Sequence, residues 1–258
     1  MEYIKKVAPT IPVNDYFKLY GDLVQKFFEM FCNIWRYQTP YLPPDMIRDK
    51  LAILYKDLLN TSTVNWSAPF CKLSQEDIFE EAFRDICIIM ESPNQNYFLN
   101  TRSEINIELN LKDSNIINGQ IDFIHTDAID KTRDTIIDGK GSNKISKNVS
   151  DNKLLFNCLL YSFRFNKLPA ETGFFYFRHN IFSPVIIDED KLNQFRAQLS
   201  LDIKEITRSN YEPTPCARSC KYCNYLNGCK EGLEAKAKRA RPSRIKDLEG
   251  DGLVTFGL

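Results

Sequence analysis

The hydrophobic period of this chain changes near residue 103, from one suited to helices to one suited to strands. Upstream, DYFKLYGDLVQKFFEMFCNIWRY (15–37), DMIRDKLAILYKDLL (45–59) and SQEDIFEEAFRDICIIME (74–91) repeat apolar side chains at intervals of three and four, which predicts three helices. Ser74 with Asp77 three residues on is an acidic variant of a capping box and marks where the third begins. Downstream, EINIELNL, NGQIDFIHTDAID and DTIIDGKG alternate at a period of two between Asn, Asp and Gly turn signals, which predicts a three-stranded meander. A helix over 152–166, a strand over 173–179 and a helix over 188–209 capped by Asp188 or Asp190 follow. Helices, strands, helix, strand and helix in that order predict a mixed α/β sheet flanked by helices.

Length allows one large domain or a domain with an appendage. The expected divisions are a helical part over 1–102, a core over 103–210, a cysteine-rich segment over 211–232 and a basic, flexible tail over 233–258. Lys+Arg and Asp+Glu are both 34, so any affinity for a polyanion must come from local charge. The basic arm AKAKRARPSRIK is one such place, and the apolar end GLVTFGL suits docking on a partner such as a sliding clamp. No apolar run reaches signal-peptide or membrane-spanning length, so the expectation is a soluble, cytoplasmic protein.

Cysteine usage is uneven. Cys32, Cys71, Cys87 and Cys158 sit in apolar company and read as buried small hydrophobes. Cys216, Cys220, Cys223 and Cys229 crowd into EPTPCARSCKYCNYLNGCK, a density of thiols that points to zinc or an iron–sulfur cluster. Tyr222 and Tyr225 interleave with Lys221 and Lys230 there, suited to stacking on a single strand or to packing around the metal.

The second and third strands carry the chemistry. Asp122 and Asp138 lie on neighbouring strands, a pair able to hold a hard divalent cation. Lys140 shares a face with Asp138 under the strand period, so its ammonium can stabilise charge developing on a phosphate or orient the attacking water. Asp-Gly-Lys is also a common turn; what singles it out is the apolar strand it ends, the acid-bearing strand before it and the amphipathic helix after it.

These residues resemble the PD-(D/E)XK nuclease superfamily, in its RecB-like exonuclease branch. Gly119-Gln-Ile-Asp122 matches the Gly-x-x-Asp element and Asp138-Gly139-Lys140 the (Asp/Glu)-x-Lys element. Asn157 and Tyr161 keep the spacing of Gln-x-x-x-Tyr, with Asn for Gln, and Gly21 to Gln25 keeps that of the Gly-x-x-x-His element, with Gln25 for the usual ligand His. Glu29, one turn on, is a substitute ligand. The resemblance implies a restriction-endonuclease-like fold and a deoxyribonuclease acting as an exonuclease on single strands or duplex ends. It implies Mg²⁺ or Mn²⁺ at Asp122, Asp138, Gly139 and Gln25, with Lys140, Asn157 and Tyr161 completing the site. Cys220-x2-Cys223-x5-Cys229 matches the triplet that holds a [4Fe–4S] cluster in AddB-type and CRISPR-associated exonucleases, with Cys216, or else Cys32 or Cys71, as fourth ligand. Replication, recombination or repair is the implied setting; processing of DNA ends in CRISPR adaptation, or a non-catalytic zinc-stabilised binding module, are alternatives. His125 and His179 fall outside the motifs and read as structural.

Overall fold

The helical first third folds as α1 Tyr16–Met30, α2 Pro44–Thr61 and α3 Gln75–Met90. The computed structural model describes residues 15–39, 41–67, 71–110, 116–145, 151–207, 220, 223 and 228–240. Two units are distinguished, Asp15–Leu199 being the larger, with Met1–Asn14 and Ser200–Leu258 in the other. Helix α1 runs on through a π-helical turn, Phe31–Trp35, into a last turn, Arg36–Gln38, and buries Leu19, Leu23, Phe27 and Phe31 on one stripe. Pro44 starts α2 where its missing N–H costs nothing. Ser74 and Asp77 form the capping box of α3, the Asp77 N–H donating to Ser74 Oγ at 3.1 Å and the Ser74 N–H to Asp77 Oδ2 at 2.9 Å.

Three antiparallel strands follow, β1 Thr101–Asn110, β2 Ile116–Thr126 and β3 Asp134–Lys140. Helix α4 Asn152–Phe165 then carries the chain back to β4 Glu171–Tyr176, parallel to β3. A strand without a counterpart in the sequence reading, β5 Ile181–Pro184, pairs antiparallel with β4 after a 3₁₀ turn and a left-handed Asn180. The sheet order is β1-β2-β3-β4-β5. Helix α5 Glu189–Thr207 starts at Asp188, whose Oδ1 accepts from the Lys191 N–H at 2.8 Å.

Each sheet face packs against helices. Phe123, Ile137 and Phe175 bury among residues of α1, α2 and α3, and Ile124 and Ile136 bury against Cys158, Leu159 and Leu160 of α4. This is the restriction-endonuclease-like α/β arrangement, a mixed sheet with flanking helices. The pleat breaks at Glu104. Glu104 takes a left-handed φ of 53°, rare and strained for a residue with a Cβ. Ser103 Oγ and Glu104 both make contacts to α1, while Ile105 and Ile107 beyond them join the α4 core. Opposite on β2, Ile121 and Asp122 both turn to α4 before Phe123 resumes the other face. The break thus brings Ile121 onto the α4 face beside Asp122, which keeps its alternation with Ile124.

In the smaller unit, α6 Lys230–Ala240 begins at Cys229, whose thiol sulfur accepts from the Gly232 N–H at 3.3 Å. The helix runs continuously through residues 232 and 233. Cys216, residues 241–246 of the basic arm and the apolar end lie outside the described residues. No helix among the described residues is long and apolar enough to cross a membrane.

Candidate functional site

Antiparallel pairing sets Phe123 across from Ile137, so the same register carried one residue further brings Asp122 level with Asp138. The Asp122 carboxylate accepts from the Gly139 N–H at 3.2 Å, which ties the two strands together at this level. Gly139 has to be glycine, because a Cβ there would lie 2.8 Å from the Phe177 ring on the opposite face. The Asp-Gly-Lys tripeptide is therefore the end of a central strand whose middle residue is squeezed under an aromatic ring, with acid and lysine both turned to α4.

Asp138 is fully buried, and neither of its oxygens accepts a directed hydrogen bond, although both meet ammonium groups. Lys140 Nζ is 2.5 Å from Oδ2, and Lys153 Nζ contacts Oδ1. The same Lys153 ammonium lies 3.2 Å from both oxygens of Asp122. One cation thus bridges the two carboxylates. Burial, and then the charge of Asp138, push the Asp122 carboxyl up to about 6, against the lowering pull of Lys153 and the Gly139 N–H. For Lys153, burial works against the charge, but Asp138 and Asp122 outweigh it and hold the ammonium above its ordinary value. Lys140 also sits 5.1 Å from the centre of the Phe174 ring, a cation–π contact that fixes its stem.

Lys153 joins this cluster although it belongs to none of the motif elements. Its one sequence signal is a lysine in the first turn of α4, where the helix dipole disfavours a cation unless carboxylates lie opposite.

The accessory residues lie elsewhere. Gln25 donates to Glu104 Oε1 at 3.3 Å, and Glu29 bonds to the same Glu104, so α1 delivers these two to β1. Burial, then Glu104, raises the Glu29 carboxyl to about 7. Asn157, one turn after Lys153, is buried with its Nδ2 unpartnered. Tyr161, a further turn on, gives its hydroxyl proton to Asp134 at the start of β3. Helix α1 reaches the far end of β3 through Gly21, whose Cα would meet a Gly141 Cβ at 2.7 Å. Arg178 also holds that end, donating to the Gly141 carbonyl at 3.2 Å, pairing with Glu81 at 2.5 Å and lying over the Tyr20 ring. His125 bonds to Thr101 and edges the Tyr97 ring, a packed structural position.

Cys32 and Cys158 are fully buried, and burial pushes their thiols up to about 12, as inert core positions require. Cys220, Cys223 and Cys229 are half-buried free thiols, the Cys223 N–H donating to the Cys220 carbonyl at 3.2 Å. No group of three or more His, Cys, Asp or Glu among the described residues is arranged to hold a metal ion.

Residues 38–230 match the PD-(D/E)XK nuclease superfamily, well over half of the chain. The chain belongs to that superfamily. The matched span contains Asp122, Asp138, Lys140, Lys153 and the described cysteines of the cluster, and starts after Gln25. Members are typically nucleases that use Mg²⁺ or Mn²⁺. No curated protein matches the chain. Among solved structures, the crystal structure of SSO0001 is similar over 82% of this chain and 96% of its own at 14% identity, with a TM-score of 0.38, too low to bear on the site.

The Asp122–Asp138 pair fits the cation that the superfamily uses. Two hard oxygen donors sit side by side, one of them buried without a directed donor, and a positive group already bridges them. Two protein carboxylates leave further coordination positions for water and phosphate, as suits Mg²⁺.

Proposed function

We propose that this chain is a divalent-metal-dependent deoxyribonuclease, an exonuclease that hydrolyses DNA single strands or ends in replication, recombination or repair. The observation carrying the reading is the pair Asp122 and Asp138 on adjacent strands with the Lys140 ammonium 2.5 Å from Asp138. When bound there, Mg²⁺ or Mn²⁺ polarises the scissile phosphate and lowers the pKa of its water. Asp122 and Asp138 would hold that ion, and burial of Asp138 keeps its carboxylate aimed. Lys140, pinned by Phe174, supplies a fixed positive charge where the pentacoordinate phosphate gathers negative charge.

A polyanionic substrate is further supported by an open groove of about 680 Å³ lined by Arg36, Tyr37, Leu99, Asn100, Arg102, Thr126 and Lys131. It carries three cations, an aromatic ring and no carboxylate. The test compares wild type with Lys140→Ala on end-labelled linear and circular DNA with Mg²⁺ or Mn²⁺. Loss of a charge-stabilising donor is expected to slow turnover by about 10²- to 10³-fold, and circular DNA is expected to resist. Equal digestion by both proteins would overturn the reading.

The exonuclease branch brings with it a [4Fe–4S] cluster on Cys216, Cys220, Cys223 and Cys229. Their spacing in the sequence supports it. Iron and zinc analysis of protein purified without oxygen decides between the metals, and zinc without iron overturns the cluster.

A further inference from the structure

We infer that Lys153 is an internal counter-cation of the Asp122–Asp138 pair that competes with the divalent ion for the same oxygens and so sets how tightly the site takes metal. The inference rests on the reading of this pair as the metal site.

The geometry separates the two lysines. Lys140 touches only Oδ2 of Asp138, packs on Phe174 and has a side chain 29% exposed. Lys153 touches Oδ1 of Asp138 and both oxygens of Asp122, the position between the carboxylates, and its side chain is 48% exposed. A single group bridging both acids cannot stay while another cation does the same. Lys153 has a way out: four flexible methylenes lead from the first turn of α4 to solvent, and the helix dipole does not favour its charge there.

Charge balance gives the same answer. Two carboxylates and two ammonium groups are neutral together. A divalent ion added to that set would leave two positive charges in excess beside a fully buried group. With the Lys153 head withdrawn one remains, and a phosphodiester carries one negative charge. The site is thus matched to metal and substrate together, with Lys153 holding the acids otherwise.

An ammonium seated for nine-tenths of the time lowers apparent metal affinity about tenfold, because only the open fraction is competent. Mn²⁺ binding by calorimetry and by electron paramagnetic resonance of free Mn²⁺ tests this without reference to turnover. Lys153→Met is expected to bind Mn²⁺ about tenfold or more tightly than wild type and to melt lower without added metal, the gap closing as Mn²⁺ saturates. Lys153→Arg, which keeps a competing cation, is expected to stay close to wild type. Lys167→Met removes a charge from the other end of β3 and is expected to leave affinity within about twofold, as screened, distant charges do. Unchanged or weaker binding by Lys153→Met overturns the inference, as does tightening by Lys167→Met to the same degree. Asp138→Asn separates this from failure of the parent reading. If it loses Mn²⁺ while Lys153→Met is unchanged, only the competition is wrong, and if it binds as wild type does, the metal site and the inference fall together.

Discussion

The Tyr161 hydroxyl donates to Asp134, at the opposite end of β3 from Asp138. The two acids are four residues apart, about 13 Å at about 3.3 Å per residue. Tyr161 therefore fastens α4 to the sheet at a distance from the carboxylate pair. Asp134 also accepts from Thr126 at 2.7 Å and pairs with Lys167 at 3.1 Å. Burial pushes Asp134 up, but these hydrogen bonds together outweigh it and keep the carboxyl below its ordinary value. Tyr161→Phe is expected to cost about 2 kcal/mol in urea unfolding, in the range for a bond to an ionised group, with metal-dependent turnover retained. A depressed folded pKa contributes stability above the ordinary carboxylate range that is lost as pH falls through it, so wild type and variant should converge in acid. Full stability with lost turnover would reassign Tyr161 to the chemistry.

Gly21 and Gly141 meet backbone to backbone, but not symmetrically. A Cβ on Gly141 would lie 2.7 Å from Gly21 Cα and 3.2 Å from its N, where nothing can swing aside, whereas a Cβ on Gly21 would meet Gly141 at an ordinary 3.8 Å. Gly141→Ala is expected to destabilise by about 1–3 kcal/mol, the cost of overpacking, and to displace the strand end that carries Lys140. Gly21→Ala, inside α1, should be neutral or stabilise by up to about 1 kcal/mol through helix propensity. Melting temperatures of the two variants check the asymmetry, and equal losses would show that α1 cannot tolerate any side chain there.

Periodicity carried the reading as far as side chains obey it. The helices, the meander and the parallel return strand were legible because each is long enough to show a period of 3.6 or 2. Ile181–Pro184 is four residues long behind a left-handed Asn180, too short for either pattern. The pleat break at Glu104 left a trace in Ile121-Asp122-Phe123-Ile124, where three apolar residues flank one acid and strict alternation fails. Asp122 keeps the alternation of Phe123 and Ile124, whereas the face that Ile121 takes depended on a backbone angle that no spacing encodes. Gln25 kept its place on α1, yet its contact with Glu104 depends on the same angle. Lys153 was hidden because its partners are brought to it only by the crossover from β3 through α4.

Glu29 makes a pH-dependent cost visible. Its carboxyl is raised to about 7, by burial and then by its contacts with Glu104, from an ordinary 4.5. A raised folded pKa means the contribution is fully present below the unfolded value and is lost as pH rises through the folded one. Stability should fall between about pH 4.5 and 7 and level off above. Glu29→Gln keeps the shape and can still donate to Glu104 without ionising, so it should melt above wild type at pH 8 and alongside it at pH 5. Parallel melting curves at both pH values would show that Glu29 ionises freely in the folded protein.

Arg102 and Lys131 provide a test of how nucleic acid lies on the molecule. Both line the groove beside Thr126, which pairs with Asp134 at the end of β3 away from Asp138. Arg102 rests over the Phe165 ring at 5.2 Å, so its guanidinium is oriented without an ion-pair partner among the described residues. A strand running from the carboxylate pair along the sheet has about 13 Å to cover before it reaches them. If two phosphates sit there, neutralising both residues with Gln should weaken binding regardless of sequence. The slope of log K against log salt should become shallower by about 1.4 for single strands and about 1.8 for duplex. Fluorescence anisotropy over a salt series measures this with calcium in place of magnesium to suppress cleavage. An unchanged slope with unchanged affinity would mean that the substrate leaves the site by another route.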